Sequence, residues 1–159
     1  MAIKLIAVDL DGTLLSSNNT ILSETQRTLR IASEKRIKVV LATGRPLSGV
    51  LSYAQQLGLE GDKQYAIVFN GSVVQTISGR VLMSQELNYQ DFNNMLRFQH
   101  LSHVNVHFET TKYFLTCDHD LSIKMQINAA LTNNIMKVRE RRDIPKNFTF
   151  NKVGFTSIE

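Results

Sequence analysis

Two aspartates separated by one leucine, Asp9 and Asp11, lie between an apolar run and a Gly-Thr pair in "AVDLDGTLL", residues 7–15. The preceding "IKLIAV" has the length and composition of a buried strand, so both carboxylates fall where that strand ends. Because two carboxylates this close repel each other, we expect a positive group between the Asp9 side chain and the backbone carbonyl of Asp11. A simple Asp-Gly turn is the alternative, but the longer "DLDGT" after a strand favours a cage for a hard divalent cation.

Two more apolar runs end in small polar residues. "IKVVLA" is followed by Thr43 and Gly44, and "YAIVF" is followed by Asn70 and Gly71. Parallel sheets bind ligands at the carboxyl ends of their strands, so we expect these turns to converge with Asp9 on one edge. The glycines let backbone N–H groups approach an anion there.

The segments between these runs are predicted to be helical. Ser23 and Gln26 have the spacing of a capping box at the start of the first helix. Pro46 suits the first turn of the second helix, and Gly58 suits its end. The order strand, helix, strand, helix, strand, with continuous apolar strands, predicts an α/β fold: a Rossmann-like parallel sheet covered on both faces, with right-handed crossovers.

The sequence changes character after about residue 73. "SVVQTISGRVLMSQEL" indicates a hairpin that turns at Ser78 and Gly79 and leads out of the first sheet. A helix through "YQDFNNMLRFQ", an antiparallel pair in "VNVHFETTKYFLTCD", a helix in "LSIKMQINAALTN" and a strand in "TFNKVGFTSI" follow. Helices segregated from strands are typical of a small α+β domain.

The residues at the predicted edge are suited to phosphoryl transfer. Asp9 can attack phosphorus and form an aspartyl phosphate, and Asp11 can act as general acid and then as general base. The hydroxyl of Thr43 and the N–H groups of Leu10 and Gly44 can bind the phosphoryl oxygens, on which transition-state charge is spread. We expect Mg²⁺ between Asp9 and the Asp11 carbonyl.

Bulk properties limit the other classes of function. The 159 residues are 43% hydrophobic and 20% charged, which is typical of a globular protein, and the net charge is only +4. The basic cluster "RERR" at 139–142 is interpreted as a solvated edge, because no aromatic residues interleave with it as base stacking requires. The single cysteine excludes an internal disulfide, and no apolar run resembles a secretory signal or a membrane span. We therefore expect a cytoplasmic protein with neither a nucleic-acid nor a membrane partner.

Two groups of residues resemble metal ligands only in type. The consecutive residues of "TCDHD", Cys117 to Asp120, suit a turn that leads into a helix cap better than a closed metal site. His100 and His103 fall at a predicted helix end, and His107 falls on a strand without a fixed partner. We interpret all three histidines as ordinary surface or hydrogen-bonded residues.

The motifs at 9–15, 41–46 and 69–72 closely resemble those of the haloacid dehalogenase superfamily, and within it the Cof-type sugar phosphatases with an inserted α+β cap. "DLDGTLL" is similar to the first motif of this family, "LATGRP" to the second, with Thr43 as its hydroxyl residue, and "FNGS" to the turn after the third strand. The resemblance implies a Mg²⁺-dependent phosphomonoesterase that acts on small phosphorylated metabolites. It also implies that residues 1–83 are the N-terminal half of the core and residues 84–159 an incomplete cap.

The chain departs from the family pattern in its second half. Members also use a lysine and an acidic "GD…ND" motif after the cap, and this chain has neither; Lys152 falls within the cap segment and is interpreted as structural. We therefore expect an incomplete active site and an uncovered core surface through which the chain self-associates. A phosphomutase and a non-catalytic metal- or phosphate-binding remnant remain the alternatives to a phosphatase.

Overall fold

The structure is a computed structural model and describes residues 2–157. These residues form two compact units, of which the first ends at Ser84 and the second begins at Gln85. The boundary expected from the sequence lies after residue 83. No helix in the described part of the chain is both long enough and apolar enough to cross a membrane.

The first unit is built on a five-stranded sheet. Its strands are β1 (Leu5–Asp9), β2 (Lys38–Ala42), β3 (Tyr65–Val68), β4 (Val73–Thr76) and β5 (Val81–Ser84), and they lie side by side in that order. The pairs β1–β2 and β2–β3 are parallel, as predicted, whereas β3–β4 and β4–β5 are antiparallel. The hairpin that we expected to lead out of this sheet therefore extends it, because β4 turns back and pairs with β3.

Two helices connect the parallel strands: α1 (Ser23–Glu34) and α2 (Leu51–Gln56). The capping box predicted at Ser23 is wrong. Leu22 occupies the N-cap position of α1 and no side chain caps it, because Ser23 is already inside the helix. The Gln26 amide, which the capping box would have used, donates instead to the backbone carbonyl of Gln56.

The apolar core of the first unit lies around β2 and β3 rather than around β1. Leu41, Val68 and Phe69 are almost completely buried, but Leu5 on β1 is 54% exposed. The expectation that β1 is a buried strand is therefore wrong. β1 lies at the edge of the sheet, so only β2 flanks it within residues 2–157, and its side chains alternate between exposed and half-buried.

The second unit has a four-stranded sheet and two helices. The helices are α3 (Tyr89–Ser102) and α4 (Ile123–Leu131), and the strands are β6 (Val104–Glu109), β7 (Phe114–Thr116), β8 (Met136–Val138) and β9 (Lys152–Ser157), in the order β8-β7-β6-β9. A capping box formed by Asn88 and Asp91 starts α3. Aromatic rings dominate the core beneath this helix; Phe92, Phe108, Phe148 and Phe150 lie in successive ring contacts.

A small ionic cluster lies within the second unit. Glu109 is 1% exposed and His107 is 3% exposed; the Oε1 atom of Glu109 lies 3.2 Å from His107 Nε2 and 3.0 Å from Lys152 Nζ. Gly154 faces the His107 ring so closely that a Cβ at this position would lie 2.3 Å from the imidazole Cε1 atom. The Glu109 contact gives His107 a fixed partner that the sequence did not indicate, because β9 pairs with β6 over this stretch; as one of the two expected states, His107 is hydrogen-bonded and buried.

Removing the Lys152 charge should destabilise the second unit. The variant Lys152→Met keeps most of the side-chain stem but leaves the buried Glu109 carboxylate without its ammonium partner, and we expect a loss of about 3–5 kcal/mol. Urea unfolding, with hydrogen exchange read on β6 and β9, measures the effect. Lys124→Met is the matched control, because the Lys124 ammonium donates to the Ser157 hydroxyl at the surface; equal losses in the two variants would contradict the cluster's role.

Candidate active site

The strand register brings the three predicted polar turns to one edge of the first sheet. Asp9 lies opposite Ala42 of β2, and Ala42 lies opposite Ile67 of β3. Thr43 follows β2 directly, and Asn70 comes two residues after β3 ends. The three turns therefore adjoin one another at the carboxyl ends of parallel strands, where such sheets bind ligands.

The turn after β1 is held by two buried leucines. Leu10 is fully buried and Leu14 is nearly so, whereas Asp9, Asp11 and Gly12 between or beside them are exposed. Gly12 has φ +75°, a backbone conformation that a side chain disfavours. Because the Leu10 side chain is buried, only its backbone remains for a ligand to contact. The role of its N–H group in binding phosphoryl oxygens stays a prediction.

The Asp9 carboxylate is exposed to solvent and accepts a long hydrogen bond. Its Oδ2 atom accepts a hydrogen bond of 3.3 Å from the hydroxyl of Thr13. This bond ties the carboxylate to the far side of the turn and leaves it open to solvent. A carboxylate in this state can attack an electrophile or bind a cation.

Arg45 holds the Asp11 carboxylate, an interaction that the sequence reasoning missed. Its Nη2 atom lies 2.6 Å from Asp11 Oδ1, and its Nε atom lies 3.0 Å from Oδ2, which is the two-pronged geometry typical of arginine and carboxylate. The hydrogen bond to Asp11 is the main cause that raises the pKa of the Arg45 guanidinium. The only signal in the sequence is an arginine directly after Thr43 and Gly44 in "TGRP".

The position of Arg45 is itself fixed by neighbours in the same unit. Its guanidinium carbon lies 5.4 Å from the centre of the Tyr53 ring, and its Nη1 atom donates to the carbonyl of Gly49 at 3.4 Å. The side chain is 17% exposed, against 54% for Asp11. Arg45 therefore places a positive charge, fixed by these contacts, beside the turn that carries the two aspartates.

Thr43 is buried, and its hydroxyl is oriented by the backbone. The Oγ1 atom accepts a hydrogen bond of 3.2 Å from the backbone N–H of Arg45, and the Thr43 N–H donates to the carbonyl of Ile67 at 2.9 Å. Since Oγ1 is an acceptor in this contact, its own proton remains to be donated. The geometry suits a donor to an anionic oxygen.

The turns after β2 and β3 are joined to each other. The backbone N–H of Asn70 donates to the Thr43 carbonyl at 3.2 Å, and the N–H of Phe69 donates to the Arg45 carbonyl at 3.1 Å. Asn70 has φ +57° and Gly71 has φ +94°. A Cβ on Gly44 would lie 2.5 Å from Asn70 Oδ1, so only glycine fits at this position without displacing the Asn70 side chain.

The oxygen atoms at this edge of the sheet are of the chemical type that binds a magnesium ion. Mg²⁺ prefers oxygen ligands and binds through one or two carboxylates while keeping several waters. The Asp9 carboxylate and the Asp11 backbone carbonyl are such ligands. The Asp11 carboxylate is instead hydrogen-bonded to Arg45. No group of three or more histidine, cysteine, aspartate or glutamate side chains in residues 2–157 is arranged to hold a metal.

The "TCDHD" segment is a turn, as predicted. Both oxygens of Asp118 accept hydrogen bonds, one from the Gln99 amide and the other from the Asn105 amide and the backbone N–H of Val106. Burial, followed by the charges of Asp118 and Glu140, raises the pKa of Cys117 to about 11. A thiol that stays protonated at neutral pH is a poor nucleophile and a poor metal ligand.

Known proteins match half or nearly all of this chain. YxeH of Bacillus subtilis (strain 168) is 31% identical over 153 residues, 96% of this chain and 57% of YxeH. Phosphatase YwpJ of the same strain is 42% identical over 78 residues, 49% of this chain and 26% of YwpJ. The solved structure of BT4131, a HAD subclass IIB sugar phosphatase, shares the fold with a TM-score of 0.69 at 24% identity, covering 85% of this chain and 52% of BT4131.

The chain thus spans about half the length of YxeH and BT4131 and a quarter of that of YwpJ. A family model described as haloacid dehalogenase-like hydrolase matches residues 6–158, which include all three turns of the candidate active site. On this match, the chain belongs to the haloacid dehalogenase-like hydrolase family.

Proposed function

We propose that this site performs the Mg²⁺-dependent hydrolysis of small phosphate monoesters, with sugar phosphates as the substrate class. The observation that carries the proposal is the meeting of an exposed Asp9 carboxylate, a donor hydroxyl on Thr43 and glycine-flanked turns at one sheet edge. Relatives named as phosphatases support the reaction class. The sugar phosphatase BT4131, which shares the fold, supports the substrate class.

Asp9 and Asp11 divide the chemistry between them. A carboxylate oxygen of Asp9 attacks phosphorus, the bond from phosphorus to the ester oxygen breaks, and the departing oxygen takes a proton from Asp11. Water then attacks the aspartyl phosphate and gives a proton to Asp11. The acyl-phosphate bond breaks, inorganic phosphate leaves, and both carboxyl groups return to their starting states.

The Arg45 ion pair sets a condition on this cycle. A carboxylate that accepts two hydrogen bonds from a guanidinium is ionised and has no proton to give. Asp11 must therefore leave Arg45, at least in part, and take up a proton from solvent before it protonates the ester oxygen. We propose that the negative charge of the bound phosphate draws Arg45 away from Asp11 and so couples binding to the release of the acid.

The remaining residues bind the phosphoryl group. The Thr43 hydroxyl and the backbone N–H groups of Leu10, Gly44 and Gly71 donate to its oxygens, with the Asn70 amide beside them. When bound to Asp9 and the Asp11 carbonyl, Mg²⁺ supplies positive charge that reduces repulsion between the Asp9 carboxylate and the phosphate.

An assay of phosphate release tests the proposal. We expect p-nitrophenyl phosphate and hexose phosphates to yield inorganic phosphate in the presence of Mg²⁺ and to yield none when the metal is chelated. A phosphomutase would instead convert one hexose phosphate into an isomer. Turnover that persists at the same rate in excess chelator would overturn the metal dependence.

The Thr43 hydroxyl should matter for rate but not for folding. Thr43→Val keeps the β-branched shape and removes one hydrogen bond to a charged oxygen. We expect a loss of about 1.5–3 kcal/mol of transition-state stabilisation, which lowers kcat/KM roughly 10- to 150-fold. Circular dichroism should be unchanged. Thr25→Val on α1 is the matched control and should keep full activity; loss of folding in Thr43→Val would show that Thr43 is mainly a packing residue.

A further inference from the structure

A cavity of about 550 Å³ that is widely open to solvent lies in the second unit and is lined by Tyr89 and the exposed residues Glu140, Arg141 and Arg142. We propose that it binds a mononucleotide, that is, a planar heterocycle that carries a phosphate. The inference does not rest on the function proposed for the first unit, because none of its residues belongs to that site.

The arginines of this cavity are available to an anion. Neither Arg141 nor Arg142 forms an ion pair with a carboxylate within residues 2–157. The Glu140 carboxylate, which stands between them and Arg139 in sequence, lies 2.9 Å from the His119 ring nitrogen instead. One N–H of Arg141 donates to the Asn93 amide oxygen at 2.7 Å, so its guanidinium is oriented while other donors remain.

Tyr89 supplies the aromatic surface that the sequence around the arginines lacks. It begins α3, about fifty residues before the arginine cluster, and the fold brings it to the same cavity. Its ring stacks on Phe92 at 5.7 Å with an interplanar angle of 27°, which holds it in place from within the unit. Nucleobases stack on aromatic rings and on the planar guanidinium groups of arginines, and a ring whose position is fixed is suited to this role.

The size of the cavity favours a single nucleotide. Cavities that bind small ligands have volumes of about 300–1,000 Å³, and this one lies within that range. A nucleic-acid strand would need a longer run of aromatic and basic positions, whereas one tyrosine and two arginines fit one base and one phosphate.

Calorimetric titration of the full chain with AMP in metal-free buffer tests this inference, with adenosine and inorganic phosphate as the two halves of the probe. We expect saturable AMP binding at least about tenfold tighter than that of either half, since the stacking and ionic contacts act together. Arg142→Ala should raise the Kd for AMP about tenfold or more. Arg139→Ala should change it less than about twofold, because the Arg139 guanidinium bonds the Val138 carbonyl and does not line the cavity.

Further variants identify where the nucleotide binds. Tyr89→Leu should weaken AMP but leave phosphate binding unchanged, and Asp9→Asn should leave the Kd for AMP unchanged. Several outcomes would overturn the proposal: no saturation by AMP, equal effects of the two arginine variants, loss of AMP binding in Asp9→Asn, or far tighter binding of a single-stranded oligonucleotide than of AMP.

Discussion

In an enzyme that carries these residues together with the lysine and the acidic motif after the cap, Asp9→Asn should lower the turnover of p-nitrophenyl phosphate by about three orders of magnitude or more, the scale of loss when a nucleophile is removed. Asparagine keeps the shape of the side chain and can still accept the hydrogen bond from Thr13. It lacks the negative charge that attacks phosphorus and binds Mg²⁺. Rapid acid quench should also find no phosphate bound to protein in this variant, whereas the enzyme with Asp9 should carry an acid-stable acyl phosphate.

Asp62→Asn is the control for the Asp9 variant. It makes the same chemical change in the same unit, at a residue whose carboxylate accepts a hydrogen bond from Ser78 and lies outside the candidate site. Its turnover should match that of the unaltered chain. If Asp9→Asn keeps activity within about tenfold of this control, Asp9 is not the nucleophile.

Asp11→Asn should produce a loss that depends on the leaving group. A sugar or alkyl phosphate needs a proton on its departing oxygen, so we expect its turnover to fall by about 10²–10⁴-fold. A leaving group as good as p-nitrophenolate needs little protonation, so its kcat/KM, which reports formation of the acyl phosphate, should fall much less. The measurement is kcat/KM for a series of esters that differ in the acidity of the leaving alcohol.

The Arg45 contact provides a second test of the role of Asp11. Asparagine has no charge, so Asp11→Asn also breaks the ion pair and leaves the held Arg45 guanidinium without its carboxylate. Arg45→Met breaks the same pair but keeps the acid. If Arg45→Met reproduces the leaving-group pattern of Asp11→Asn, the pattern comes from the lost ion pair and Asp11 is not the acid.

Much of the fold could be predicted from local sequence. The apolar runs that precede Asp9, Thr43 and Asn70 are strands, and the first three strands are parallel in chain order. The resemblance of the motifs to the haloacid dehalogenase superfamily is confirmed by the family match. Motifs of this kind can be recognised from the sequence because strand ends and glycine turns depend on residues adjacent in sequence. The chemical roles given to these residues remain predictions.

The errors lie where a local pattern competes with a distant contact. Ser23 and Gln26 have the spacing of a capping box, but the Gln26 amide bonds Gln56, thirty residues away. Leu5 and its neighbours have the composition of a buried strand, but the exposure of a strand depends on what pairs with it on each side. Three-residue β8 is too short to give a period from which a strand can be recognised.

Local sequence is sufficient to show which residues lie at the strand ends of the first unit, because turn chemistry and apolar runs are local properties. Which side chains meet depends on how the chain packs in three dimensions. Packing paired Asp11 with Arg45 and Glu109 with His107 and Lys152, and it brought Tyr89 to the same cavity as Arg141 and Arg142. Ion pairs and cavity walls join residues that lie far apart in sequence, and no periodicity encodes such a pairing, because its partners are set by how strands and turns pack together.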